Sequence, residues 1–204
     1  MDWQFVARHM ASGILPETVA LELYFLLLHV TGRKQTLAHI IASSVFCFYL
    51  LAILTLTGIC ISGTFSPNIS LIPLVDMVKG PVDTALNILL FVPMGIFLPL
   101  LNDKHDNIRI IAVEGFLISL SIEIAQMFGT GITDVNDLIA NTLGSCLGYG
   151  AYTILCNLIP SSYRDTLRAK ELQCILEPLL FWAGSLIIMT TLQQQVFHAI
   201  YVAF

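Results

Sequence analysis

Seven of the polar side chains that fall inside or at the mouths of long apolar runs could do chemistry together: Asp83, Asn87, Glu123, Gln126, Asp134, Asp137 and Asn141. A charged group at the centre of a membrane helix costs about 2.5 to 3.5 kcal/mol on insertion scales, so such residues usually face a protein interior or a pathway. Carboxylates and amides gathered at one place could grip an amine, share a divalent cation with a phosphate, or carry acid/base chemistry. Plainer roles stand beside these. Asp134 and Asp137 suit the positive end of a helix dipole as simple caps, and Glu123 could be a protonated structural acid held by Ser119, Gln126 or Thr130. Glu114, a little over a turn from Arg109, reads as a snorkelling surface charge.

Their spacing is helical. Asn87 follows Asp83 by four residues and Gln126 follows Glu123 by three, so each pair shares one face. Asp137, Asn141, Gly144 and Gly148 follow at four, three and four, a single stripe of an α-helix. Gly144 and Gly148 let a neighbouring backbone come close, so this stripe should face protein and not lipid. Pro93 removes one helical N–H and frees the Leu89 carbonyl; with Gly95 and Pro99 it predicts a kinked or broken helix.

The elements that must position these residues are long and apolar. Of 204 residues, 56% are hydrophobic and only 11% are charged, and the mean hydropathy is +0.83, a membrane composition. Stretches at Ile14–Val30, Leu37–Ile61, Thr84–Leu101, Ile108–Met127, Val135–Ile159 and Ile175–Phe204 predict an all-α, polytopic transmembrane bundle of five or six helices. The first is the doubtful span, being short and carrying Glu17 and Glu22; Pro16 marks its start. Alternation typical of a lipid-facing barrel is missing. Three segments follow from this layout: an N-terminal helix in 1–36, a membrane core in 37–159, and a loop with a last helix in 160–204.

Lysine and arginine placement sets orientation. Arg33, Lys34, Lys104, Arg109, Arg164, Arg168 and Lys170 share one side, against Arg8 and Lys79 on the other. The seven are then cytoplasmic, and the Ser62–Val82 segment and the Phe128–Asp134 turn face outward. With that orientation Glu123 lies about 22 Å from the cytoplasmic start of its helix, level with Asp83, Asn87, Asp134, Asp137 and Asn141. The polar cluster is expected near the outer face.

A net charge of −5 argues against nucleic acid as a partner. Cys47, Cys60, Cys146, Cys156 and Cys174 show no metal spacing and read as packing residues. No cofactor motif, HExxH or phosphate-cradling glycine loop is present, and no metal site or cofactor is expected.

Four blocks of the sequence resemble the VanZ-like family: LIPL (Leu71–Leu74), DTALNILLFVPMGIFL (Asp83–Leu98), SLSIEIAQ (Ser119–Gln126) and TGITDVNDLIANTLGSCLGY (Thr130–Tyr149). The family's recurring polar positions correspond here to Asn87, Glu123, Gln126, Asp134, Asp137 and Asn141, and Pro93 and Gly95 match its Phe-x-Pro-x-Gly block. The resemblance implies a multi-pass protein of the bacterial cell membrane, in a family named for a member that gives low-level resistance to the lipoglycopeptide antibiotic teicoplanin. The expected partners are membrane lipids and a lipid-linked cell-wall precursor, phospholipid head or lipoglycopeptide, bound without catalysis at the outer polar cluster. Two alternatives stay open: a membrane-embedded enzyme using Glu123, Asp134 or Asp137 on a lipid-linked substrate, and a lipid transporter or scramblase.

Overall fold

The computed structural model describes residues 3–33, 35–59, 65, 69–70, 80–128, 133–168 and 173–201. These fall into two units, one made of Met1–Ile59 with Ala169–Phe204 and the other of Cys60–Arg168.

In the first unit, helix α1 (Trp3–Val30) and α2 (Leu37–Leu56) pack together with a C-terminal segment. That segment runs as α7 (Gln173–Ile187), a π-helical turn (Ile188–Leu192) and α8 (Gln193–Tyr201). Each boundary has a chemical cause. Gly32 and Gly58, just past the ends of α1 and α2, take positive φ values of 79° and 67°, a conformation that stops a helix at little cost to glycine. Thr36 caps α2 by accepting from the His39 N–H at 3.1 Å. The core holds Leu21, Phe46, Leu50, Leu51, Leu54, Phe181 and Trp182. Helix α1 starts eleven residues before the apolar run at Ile14, so Pro16 lies inside it and does not open it.

In the second unit, α3 (Pro81–Leu101), a 3-10 turn (Asp103–His105), α4 (Ile108–Gln126), α5 (Val135–Leu158) and short α6 (Ser161–Leu167) follow in order. A two-residue parallel bridge pairs Ile69 with Thr133 and Ser70 with Asp134. Side chains cap three starts: Asn102 accepts from Lys104 N–H, Asn107 from Arg109 N–H and Asp134 from Asn136 N–H, each at 2.9 Å. Helix α3 runs unbroken through Pro93 and Pro99; the expected break is absent. Helix α5 packs chiefly on α3 and also on α4.

Exposure is inverted relative to a water-soluble domain. Val82, Leu86 and Leu89 form one stripe of α3 that is 68%, 57% and 65% exposed, while Phe91, Met94, Leu98 and Leu101 are buried. Exposed leucine stripes of this kind suit lipid contact. Among the described residues four helices are long and apolar enough to cross a membrane: Val6–Val30, Leu37–Leu56, Pro81–Leu101 and Leu176–Tyr201. Helix α4 falls outside that set because it carries Arg109, Glu114 and Glu123, and α5 because Asn136, Asp137 and Asn141, together with its glycines and tyrosines, dilute its hydropathy. Both are nonetheless long helices of an all-α bundle.

Candidate functional site

Three glycines set the geometry of the second unit. A Cβ added to Gly144 would strike the Ile88 carbonyl oxygen, and one on Gly148 would strike that of Val92. One on Gly95 would strike the Ser145 carbonyl. The backbones of α3 and α5 therefore touch along the stripe that the Gly-x-x-x-Gly spacing predicts. Contacts climb together along both chains, from Ile88 with Gly144 to Val92 with Gly148, so α3 and α5 run parallel. Helix α4 runs the other way: Asn141 meets Ser119, and Gly115 meets Ser145. The starts of α3 and α5 and the end of α4 thus share one end of the unit.

All the expected site residues lie at that end or a turn or two below it. Asn87 Nδ2 donates to Asp137 Oδ1 at 2.6 Å, joining α3 to α5. Glu123 is only 2% exposed. Its Oε2 accepts the backbone N–H of Asp134 at 2.9 Å, and its own carbonyl accepts from Thr133 Oγ1 at 3.1 Å. The acid thus pins the strand-like segment that leads into α5. Asp134 Oδ1 accepts from both the backbone N–H and the side-chain amide of Asn136, at 2.9 and 2.8 Å, so this residue is a cap as its plainer reading has it. Asp83 is exposed and Asp137 half-buried. Asp83 and Asp134 are close enough for their charges to act on Asp137. Among the described residues none of these three aspartates meets a lysine, arginine or histidine.

Asn141 is buried one turn below Asp137. Its amide nitrogen donates to Ser119 Oγ at 2.9 Å, and its own backbone carbonyl accepts from Ser145 Oγ. The side-chain carbonyl Oδ1 of Asn141 has no partner among the described residues. Ser119 therefore serves Asn141 and not Glu123, the partner that same-helix spacing suggests. Gln126 is half-buried, three residues beyond Glu123. Thr130, the LIPL block, Lys34, Lys79 and Lys170 lie outside the described residues.

Thr133 and Asn136 belong to this network although nothing in their own spacing marks them. A second polar group occupies the opposite end of the unit. Tyr149 and Tyr152 each donate to Asp106 at 3.0 Å, and Arg168 Nη2 lies 3.0 Å from the Tyr152 hydroxyl and 3.5 Å from Asp106. Glu114 bonds buried His105 at 2.7 Å there. It is a paired acid and not a free snorkelling charge. Among the described residues no three or more His, Cys, Asp or Glu side chains form a group able to hold a metal ion.

A family model described as VanZ/LLP1 matches residues 45–156, more than half of the chain, and spans α3, α4 and α5 with their polar cluster. No curated protein and no solved structure matches the chain.

Proposed function

The chain belongs to the VanZ/LLP1 family, and from that premise we propose that it is an envelope protein of the bacterial cell membrane that binds the polar head of an amphiphile. The head binds at the acid-lined end of the second unit, facing out of the cell. The observation that carries this reading is a set of aspartates with no cationic partner among the described residues, two of them bonded by asparagine side chains. Asn87 orients Asp137, and Glu123 holds the entry to α5 through the Asp134 N–H. Asp83 and Asp137 are then left to attract an amine-bearing head. The exposed stripe Val82, Leu86 and Leu89 begins beside Asp83 and offers an apolar surface to the tail.

Lipid-linked cell-wall precursors, phospholipids and lipoglycopeptides such as teicoplanin all have this head-and-tail form. Capture of such a molecule at the outer surface would reduce glycopeptide action without any bond being made or broken. The test compares labelled teicoplanin bound by whole cells, and their susceptibility, across three strains. One lacks the protein, one produces it, and one produces Asp83→Asn/Asp137→Asn. The producing strain should differ from the other two in both readouts. Identical binding and susceptibility in all three would remove the resistance reading.

A further inference from the structure

Among the described residues the first unit contains two buried glutamates, and only one of them is fully answered. Glu177, 1% exposed, accepts from Tyr24 Oη at 2.8 Å and lies 3.2 Å from His39 Nε2 through both carboxylate oxygens. Glu17, 3% exposed, accepts from Ser185 Oγ at 2.8 Å through Oε1. Its Oε2 is buried with no partner among the described residues, and no lysine, arginine or histidine pairs with it there. Glu17 lines a cavity of about 90 Å³ where α1, α2 and α7 meet, with Leu21, Tyr24, Cys47, Phe181 and Ile188 among its walls and Leu180 at its edge. Leu180 is 55% exposed, so the cavity reaches the apolar surface of the unit.

A carboxyl oxygen in apolar surroundings is costly without a partner. In its ionised form this oxygen calls for a hydrogen-bond donor small enough for the cavity, and a cation would balance the charge as well. Room equivalent to about three waters fits an ammonium and its first methylenes. Leu21, Phe181 and Ile188 would cover those methylenes, and the rim at Leu180 leads the remaining chain to the lipid side. The π turn that starts at Ile188 widens the helix at this wall, a distortion often found at functional positions.

The geometry points to a second ligand site, in the first unit, that takes the primary ammonium head of a single-chain amphiphile on Glu17. It is independent of the acid-lined end of the second unit. Dodecylamine is the probe, with dodecanol and laurate as controls, titrated onto the full-length protein in neutral-lipid nanodiscs and read by native mass spectrometry. The background is Asp83→Asn/Asp137→Asn, so that the other acids do not compete. A saturable one-to-one dodecylamine adduct is expected, with neither control forming one. Glu17→Gln should weaken it at least tenfold. Gly184→Leu keeps the acid and puts a bulky side chain on a residue that lines the cavity, where a Cβ meets nothing within 4 Å; it should weaken binding to a similar extent and carries the test if Glu17→Gln does not fold. No saturable adduct, equal binding of dodecanol, or full binding by both variants would overturn the site, whatever the outcome of the teicoplanin experiment.

Discussion

The Asn87 amide nitrogen lies 2.6 Å from Asp137 Oδ1, at one end of the contact between α3 and α5 that the glycines mark. One hydrogen bond therefore ties the start of α3 to the start of α5. Replacing Asn87 with leucine should leave Asp137 without its donor and cost about 1–3 kcal/mol. Asn87→Asp would place a second carboxylate against the first and should cost more. Thermal melting of the detergent-solubilised protein decides it: a leucine variant that melts with wild type would show that the bond contributes nothing.

The glycine contacts give a sharper contrast. Alanine at Gly95 or Gly148 pushes a methyl into a carbonyl oxygen of the facing helix, and backbone cannot rotate away as a side chain can. Each change should cost at least about 1–3 kcal/mol and lower the amount of folded protein recovered. Gly150 lies on the same helix, yet a Cβ there meets nothing within 4 Å, and Gly150→Ala should be neutral or slightly stabilising because alanine is the better helix former. Equal melting of Gly148→Ala and Gly150→Ala would contradict the close packing of α3 on α5.

That stripe was legible in advance because helical periodicity turns spacing into a face. Asp137, Asn141, Gly144 and Gly148 needed no partner to reveal that they point the same way. Which residue stands opposite was not legible. Ser119 lies four positions before Glu123, so same-helix spacing pairs them, but antiparallel packing sets Ser119 beside Asn141. Glu114 found His105 locally, through a turn whose geometry depends on the Asn102 and Asn107 caps. Pro16 misled differently, and Pro93 does not interrupt its helix. Pro16 and Pro93 carry local penalties of a few kcal/mol, which apolar packing along a long helix outweighs. The Glu17–Ser185 and Tyr24–Glu177 bonds join residues 168 and 153 positions apart, where no periodic pattern reaches.

Glu123 tests the division between organising and binding residues. Its buried carboxylate accepts the Asp134 N–H at 2.9 Å, a task that a glutamine carbonyl can also perform. Glu123→Gln should therefore keep the fold within about 1 kcal/mol of wild type, while Glu123→Leu strands a buried N–H and should cost about 1–3 kcal/mol. Hydrogen exchange at the Asp134 amide gives a local readout. Protection should survive in the glutamine variant and fall in the leucine variant. Loss in both would mean that the charge and not the acceptor geometry holds this segment.

The His39–Glu177 pair in the first unit separates what a buried pair contributes from what breaking it costs. Both side chains are almost wholly buried, at 0% and 2% exposure, with Ser43 Oγ 3.3 Å from the same imidazole nitrogen. Removing one partner leaves a polar group without its answer in an apolar interior, and single truncations of buried pairs typically cost about 3–5 kcal/mol. Removing both replaces two desolvated groups with hydrocarbon, which is often close to neutral. His39→Leu should therefore be strongly destabilising, whereas His39→Leu/Glu177→Leu should recover a large part of the loss. The recovery stops short of complete because Tyr24 then lacks its acceptor, and adding Tyr24→Phe to the pair should close most of that gap. Unfolding in mixed micelles measures all three. A double variant less stable than His39→Leu would show that Glu177 is held chiefly by groups other than the histidine, and that the pair is not the unit in which this interior is built.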